Sequence, residues 1–294
     1  MTTGTENLGL GANEAMRWER AMTELYTGFL HHGTEALESF DDEAVHQARV
    51  SSRKLLTLLS VLDPGHSSGL YAIFKQAQKR LGKVRDADVL IASFKERRTA
   101  AKRDGDKQTA KLVKAVIRHQ KAERRRRRAK LADELPALIN GKLKSQWEEF
   151  IEKRLPGLVS GTDANIAMRE LEVAYEQQKK RCKEMFRQEN PGSRKALDEL
   201  HKLRISAKRI RYTANAAAFA LDQKFHANEA MYKDIQSELG DITDKRVWLE
   251  TMEDIGRKEL DASRAAWNGF IESLQNELAN ALRRSTVIDV PDAE

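Results

Sequence analysis

Cysteine is almost missing from this chain, with Cys182 alone among 294 residues. No intramolecular disulfide can form, so packing must hold the fold by itself. Lys180, Arg181 and Lys183 flank that thiol and would acidify it mildly, yet a structural role is the expectation. Proline is scarce as well, with 5 in all, which leaves long stretches free of helix breakers. Also missing are the Gly-x-x-x-x-Gly-Lys-Ser/Thr phosphate loop and the G-x-G-x-x-G fingerprint. No Cys/His spacing suits zinc, and His31-His32 alone falls short of a metal-ligand pattern. No apolar run approaches the length that crosses a bilayer. Met1 to Ala12 is Gly- and Thr-rich and lacks the basic-then-apolar order of a signal peptide. It reads as a disordered leader on a cytoplasmic protein.

What is present is charge on helices. Hydrophobic residues at 40% and charged residues at 33% suit long amphipathic helices better than a sheet core. The expected fold is therefore all-α. A net charge of +7 points to a polyanionic partner: nucleic acid, polyphosphate or an acidic membrane surface. Helices are predicted at about Asn13–Phe40, from an Asp41-Asp42 cap to Asp63-Pro64-Gly65, from Ser68 to a stop at Gly82, and from an Asp86 cap to Arg103. Further helices follow at Lys107–Leu135 and Lys142–Arg154, with Pro136 to Gly141 as the break between them. Leu155-Pro156-Gly157-Leu158-Val159-Ser160-Gly161-Thr162 reads as the main boundary. After it come helices near Asp163–Gln188, Ser193–Leu221, His226–Leu239, Thr243–Lys258 and Glu259–Ser285. This gives one domain over residues 13–288, made of halves 13–157 and 162–288, with a leader at 1–12 and a tail at 289–294.

The halves share a phrase. Val45-His46-Gln47-Ala48-Arg49-Val50-Ser51-Ser52-Arg53-Lys54-Leu55 returns as Leu200-His201-Lys202-Leu203-Arg204-Ile205-Ser206-Ala207-Lys208-Arg209-Ile210-Arg211, the histidines lying 155 positions apart. At about 100° per residue, His46, Arg49 and Arg53 fall within about 60°, and His201, Arg204, Lys208 and Arg211 within about 80°. Leu55, Leu58, Leu59 and Leu62 gather opposite the first strip, and Leu203 and Ile210 opposite the second. Downstream, Leu81-Gly82-Lys83-Val84-Arg85-Asp86 matches Leu239-Gly240-Asp241-Ile242-Thr243-Asp244, so an internal duplication with an approximate two-fold axis is expected. A third strip, Lys111, Lys114, Arg118, Lys121 and Arg125, spans about 80° of the next helix. Within the Arg124–Arg128 run, only Arg125 extends that strip, and the other four read as solvated or as a rim. Lys75 and Lys79 form an i,i+4 pair, with Arg85 in the turn after them. The second half answers more weakly, with Lys233 as its main cation and Thr243 in the place of Arg85.

Arginine suits phosphate because its planar fork donates to two oxygens and stays charged at any working pH. His46 and His201 are expected to donate to an anion, gaining charge as pH falls or as the anion raises their pKa. A phosphoryl-accepting role is the sharper and less favoured alternative. No nucleophile, base and orienting acid assemble into a catalytic set, so the chain reads as a binder and not an enzyme, with no cofactor and no metal.

These phrases, with the Leu-Gly-x-x-Arg-Asp-x-Asp-Val-Leu segment, resemble the CHAD family, named for a conserved histidine α-helical domain. The likeness runs from about Asn13 to Arg284. It implies two four-helix bundles with pseudo-two-fold symmetry around a basic cavity that binds inorganic polyphosphate, and some members are drawn to polyphosphate granules. By position it implies contacts from His46, Arg49, Arg53, Lys54, His201, Arg204, Lys208, Arg209 and Arg211, with Lys75, Lys79, Arg85 and the Lys111–Arg125 strip as further lining; Lys233 joins the candidate site from its place in the repeat. One departure is Leu56, where the family phrase has Arg and the second copy keeps Arg211. A weaker first-half grip follows, which Leu56→Arg is expected to tighten. No Glu-x-Glu-x-Lys strand of a triphosphate tunnel is present, so tunnel-type hydrolysis does not follow. The runner-up partner is nucleic acid, but single-strand binders interleave aromatics with cations. Here only Tyr212 adjoins a basic strip, while Trp18, Trp147, Trp248 and Trp267 lie outside.

Overall fold

The computed structural model describes residues 3–288, with side chains from residue 13 onward. The tail at 289–294, Met1, Thr2 and the side chains of the leader lie outside the described residues. The protein is all-α, and no strand occurs among the described residues. The order is α1 (Thr3–Glu38), α2 (Asp42–Leu62), α3 (Leu70–Arg103), α4 (Lys107–Leu138), α5 (Gly141–Glu149), α6 (Leu155–Ser160), α7 (Ala164–Gln188), α8 (Arg194–Ala216), α9 (Gln223–Ala227), α10 (Glu229–Ile255) and α11 (Arg264–Arg283). A π-turn, Phe150–Arg154, joins α5 to α6. Among the described residues no helix is long and apolar enough to cross a membrane.

Two compact units make up the chain. The first comprises Met1–Val89, Ala122–Met168 and Tyr212–Gln223, and the second Leu90–Lys121, Arg169–Arg211 and Lys224–Glu294. In the first, Trp18, Met22 and Phe29 of α1 pack with Leu55, Leu58, Leu59 and Leu62 of α2, Phe74 and Leu81 of α3, and Leu131 and Leu135 of α4. Tyr26 stacks on Trp147 at 4.2 Å, and Phe29 meets Phe74 edge-on at 5.4 Å. Asp41 caps α2 by accepting from the Glu43 and Ala44 amides, which starts the helix where the sequence signal put it.

In the second unit, Leu203, Ala207 and Ile210 of α8 are buried, as are Leu239, Ile242 and Met252 of α10 and Phe270 and Leu274 of α11. Tyr175 and Tyr232 meet edge-on at 5.3 Å. Arg97 lies 3.9 Å over the Trp248 ring and donates to both Glu277 oxygens, at 2.9 and 2.5 Å. Cys182 is fully buried, and desolvation pushes its thiol up to about 12. Burial thus outweighs the acidifying Lys and Arg neighbours expected to act on it.

Three expected breaks do not occur. α3 runs unbroken through Gly82, α10 runs through Gly240, and α4 continues through Pro136 to Leu138. A single glycine costs a helix interior only about 1 kcal/mol relative to alanine, which packing on both sides overrides. Pro136 deprives the Ala132 carbonyl of its donor, and α4 ends two residues later. Asn140 then caps α5 by accepting from the Lys142 and Leu143 amides.

Candidate anion-binding clusters

In the first unit, α2 faces α3 through an arginine and a glycine. A Cβ built on Gly82 would lie 3.4 Å from Arg49 Nε, so the bare backbone of α3 seats the guanidinium. That Nε is buried and hydrogen-bonds nothing among the described residues, and no carboxylate pairs with Arg49 there. His46 joins the same cluster. Burial holds its imidazole below the usual histidine range, with Arg85, Arg53 and Arg49 adding to the effect and Glu43 opposing it. Its Nδ1 is buried without a hydrogen-bond partner. The structure therefore brings His46, Arg49, Arg53 and Arg85 together. Arg53 lies 4.1 Å over the Tyr212 ring and donates to its hydroxyl at 3.3 Å. Lys75 and Lys79 are exposed, within about 60° of Gly82 on the α3 helical wheel. Lys75 Nζ also stands 5.6 Å from the Tyr71 ring. Lys54 is half-buried and lies off the His46 strip by helical register.

The second unit repeats the pairing. Arg204 Nη2 and Nε lie 3.8 and 3.9 Å from a Cβ built on Gly240 of α10. Arg204 Nε is again buried without a hydrogen bond among the described residues. Burial lowers the pKa of His201, followed by Arg204, Arg246 and Lys208, with Asp198 opposing. Acid also stands beside this cluster, as Glu43 does beside the first. Asp244 is raised above the usual carboxylate range by burial and by Asp241, while Arg204 and Lys208 pull it down. Arg246 is occupied, donating to Asp198 at 2.6 Å and Glu250 at 2.7 Å. Thr243, at the position matching Arg85, turns inward and donates to the Leu239 carbonyl at 2.7 Å. Thr243 thus brings no cation where the first cluster has Arg85. Arg211 is half-buried, and Arg209 and Lys233 are exposed.

On α4 the strip Lys111, Lys114, Arg118, Lys121 and Arg125 is exposed throughout. Leu112, Val113, Val116 and Ile117 are buried behind it. The arginine run behaves differently from expectation. Arg124 donates to Asp88 at 2.9 Å, and Arg128 donates to Asp42 at 2.9 Å and stands 3.8 Å from Asp88. Arg127 donates to the Lys83 carbonyl at 3.0 Å, and Arg126 pairs with Glu123. Arg124, Arg127 and Arg128 are therefore structural partners, while Arg126, 77% exposed, stays solvated as expected. The cause is Asp88, whose side chain is only 3% exposed and whose charge requires cations beside it. Asp86, read as a cap, lies mid-helix in α3. Leu56 is likewise no open position, being 8% exposed within the first unit's core.

Sequence reasoning missed the two seating glycines, which it took for helix stops, and the acid at Asp244. The signal was there: an Arg three residues after each His, and a Gly in each matching helix.

Comparison with known proteins agrees with the all-α fold. The family model described as "CHAD domain" matches residues 20–253. Among solved structures, the crystal structure of the CHAD domain from the plant Ricinus communis aligns with TM-score 0.62 and 17% identity, over 94% of this chain and 93% of that one. PptA from Streptomyces chartreusis aligns with TM-score 0.54 and 13% identity, over 92% and 99%. No curated protein matches the sequence.

Proposed function

The chain belongs to the CHAD family, and from that premise we propose that it binds inorganic polyphosphate without chemical turnover. One observation carries the reading. Arg49 and Arg204, at matching positions of the repeated phrase, each hold a buried Nε with no partner among the described residues. A buried N–H without an acceptor is costly, and a phosphate oxygen is an acceptor the guanidinium fork fits. The exposed α4 strip supplies further charge for an extended anion.

Phosphate without bases is favoured over nucleic acid. Trp18 and Trp147 are buried, and Trp248 and Tyr212 each carry an arginine over one face, which leaves little aromatic surface for stacking bases. Phosphotransfer through His46 is disfavoured because its Nδ1 has no carboxylate to fix a tautomer among the described residues. The same reading places the protein in the cytoplasm, on polyphosphate granules, which a fluorescent fusion checks directly. The binding test is competition at physiological salt between long-chain polyphosphate and single-stranded DNA. Polyphosphate displacing the DNA at sub-stoichiometric phosphate-unit ratios supports the proposal, and equal competition returns the clusters to generic basic surface.

A further inference from the structure

Away from the basic clusters, α1 brings together side chains of a different chemistry. His31, His32 and Glu35 each offer a donor atom, and these atoms all lie within 4.8 Å of one another. Glu35 Oε2 is 2.9 Å from His32 Nδ1 and 3.6 Å from His31 Nε2, so one carboxylate oxygen stands between two rings. The ring centroids are 4.9 Å apart, tilted by 58°. The backbone beneath is fixed, because Phe29 and Ala36 on either side of this turn are fully buried in the core of the first unit. His32 is half-buried, while His31 and Glu35 are open to solvent.

We propose that the His31–His32–Glu35 turn binds one divalent transition-metal ion, zinc or copper, through two imidazole nitrogens and one carboxylate oxygen. Donors about 2.0–2.1 Å from a tetrahedral zinc stand about 3.3 Å from each other, and the two Glu35 distances bracket that value. Side-chain rotation alone closes the set, and the ion displaces the His32–Glu35 hydrogen bond. Imidazole with carboxylate selects zinc, copper or nickel over magnesium and calcium, which take oxygen ligands. The remaining coordination positions face solvent and hold water. None of the three residues belongs to the anion clusters, so this site stands whether or not polyphosphate is the ligand. The adjacent histidines looked inadequate in the sequence because nothing there shows that Glu35 turns back between them.

The test is calorimetric titration of the full chain with zinc chloride at neutral pH in phosphate-free buffer. One equivalent binding with micromolar affinity is expected, weakened about tenfold or more in each of His31→Ala, His32→Ala and Glu35→Gln. Copper(II) bound in place of zinc should show two imidazole nitrogens by electron paramagnetic resonance, and lose that signature in the His31→Ala/His32→Ala double variant. These side chains lie at the surface, so circular dichroism should report an unchanged fold. Absence of zinc binding by the parent chain, or binding that survives unchanged in the double variant, overturns the proposal.

Discussion

Acidification from about pH 8 to about pH 6 should tighten polyphosphate binding, with proton uptake on complex formation. In the free protein His46 is ringed by Arg85, Arg53 and Arg49, and His201 by Arg204, Arg246 and Lys208. Burial and these cations hold both imidazoles below the usual range, so both are neutral near pH 7 without ligand. A phosphate oxygen about 5 Å from an imidazolium contributes roughly 3 kcal/mol at an effective dielectric near 20. Discounted for partial exposure, about 1 kcal/mol per histidine remains, slightly under one pKa unit. Each histidine then strengthens binding by up to about fivefold as pH falls through the window between its free and bound values.

Without ligand the sign reverses. The unfolded histidines keep the ordinary value and the folded ones sit below it, so the unfolded chain binds more protons and stability falls as pH drops through about 6.5. Acid should therefore lower the Tm of the free protein while raising its affinity. Calorimetry in two buffers of different ionisation enthalpy counts the protons taken up, using long chains whose internal phosphates stay ionised throughout. His46→Gln and His201→Gln should each remove part of the uptake. Binding that is pH-independent and proton-neutral in the parent chain would refute the reasoning, even with strong affinity.

Three further outcomes follow from the packing. Gly82→Leu should push Arg49 from its seat and weaken binding severalfold, whereas Gly82→Ala, with its Cβ at ordinary contact distance, should leave Tm unchanged or higher. Asp88→Asn leaves Arg124 and Arg128 without their buried carboxylate and should cost roughly 3 kcal/mol in urea unfolding, while Asp86→Asn, at an exposed position, should cost little. Leu56→Arg puts a charge into the core and should lower Tm by several degrees, and tighter binding with full stability would contradict the core assignment.

Much of this architecture could be read from residue spacing. α2 was legible because Asp41 caps it and its leucines keep one face, so the basic strip opposite followed from helical geometry alone. α8 followed because it repeats the phrase. The breaks at Gly82 and Gly240 misled because a lone glycine ends a helix only when packing does not carry the helix through it, and only the tertiary partner shows which applies. The arginine run misled for a similar reason. A row of like charges looks solvated until a buried acid such as Asp88, thirty-six positions earlier in sequence, is brought beside it. Tyr212 belongs to the second phrase by sequence yet lies under Arg53 of the first, a long-range contact that no periodicity encodes.

The most direct test of the central claim is the affinity of Arg49→Glu, Arg204→Glu and the double variant for long-chain polyphosphate at physiological salt, with Tm measured alongside. The account predicts that each single change weakens binding at least tenfold, that the double change abolishes it, and that Tm holds in Arg49→Glu, whose cluster sheds repulsion, but falls slightly in Arg204→Glu, which sets another carboxylate beside Asp244. Parent-like affinity in the double variant, with the fold intact, would contradict it.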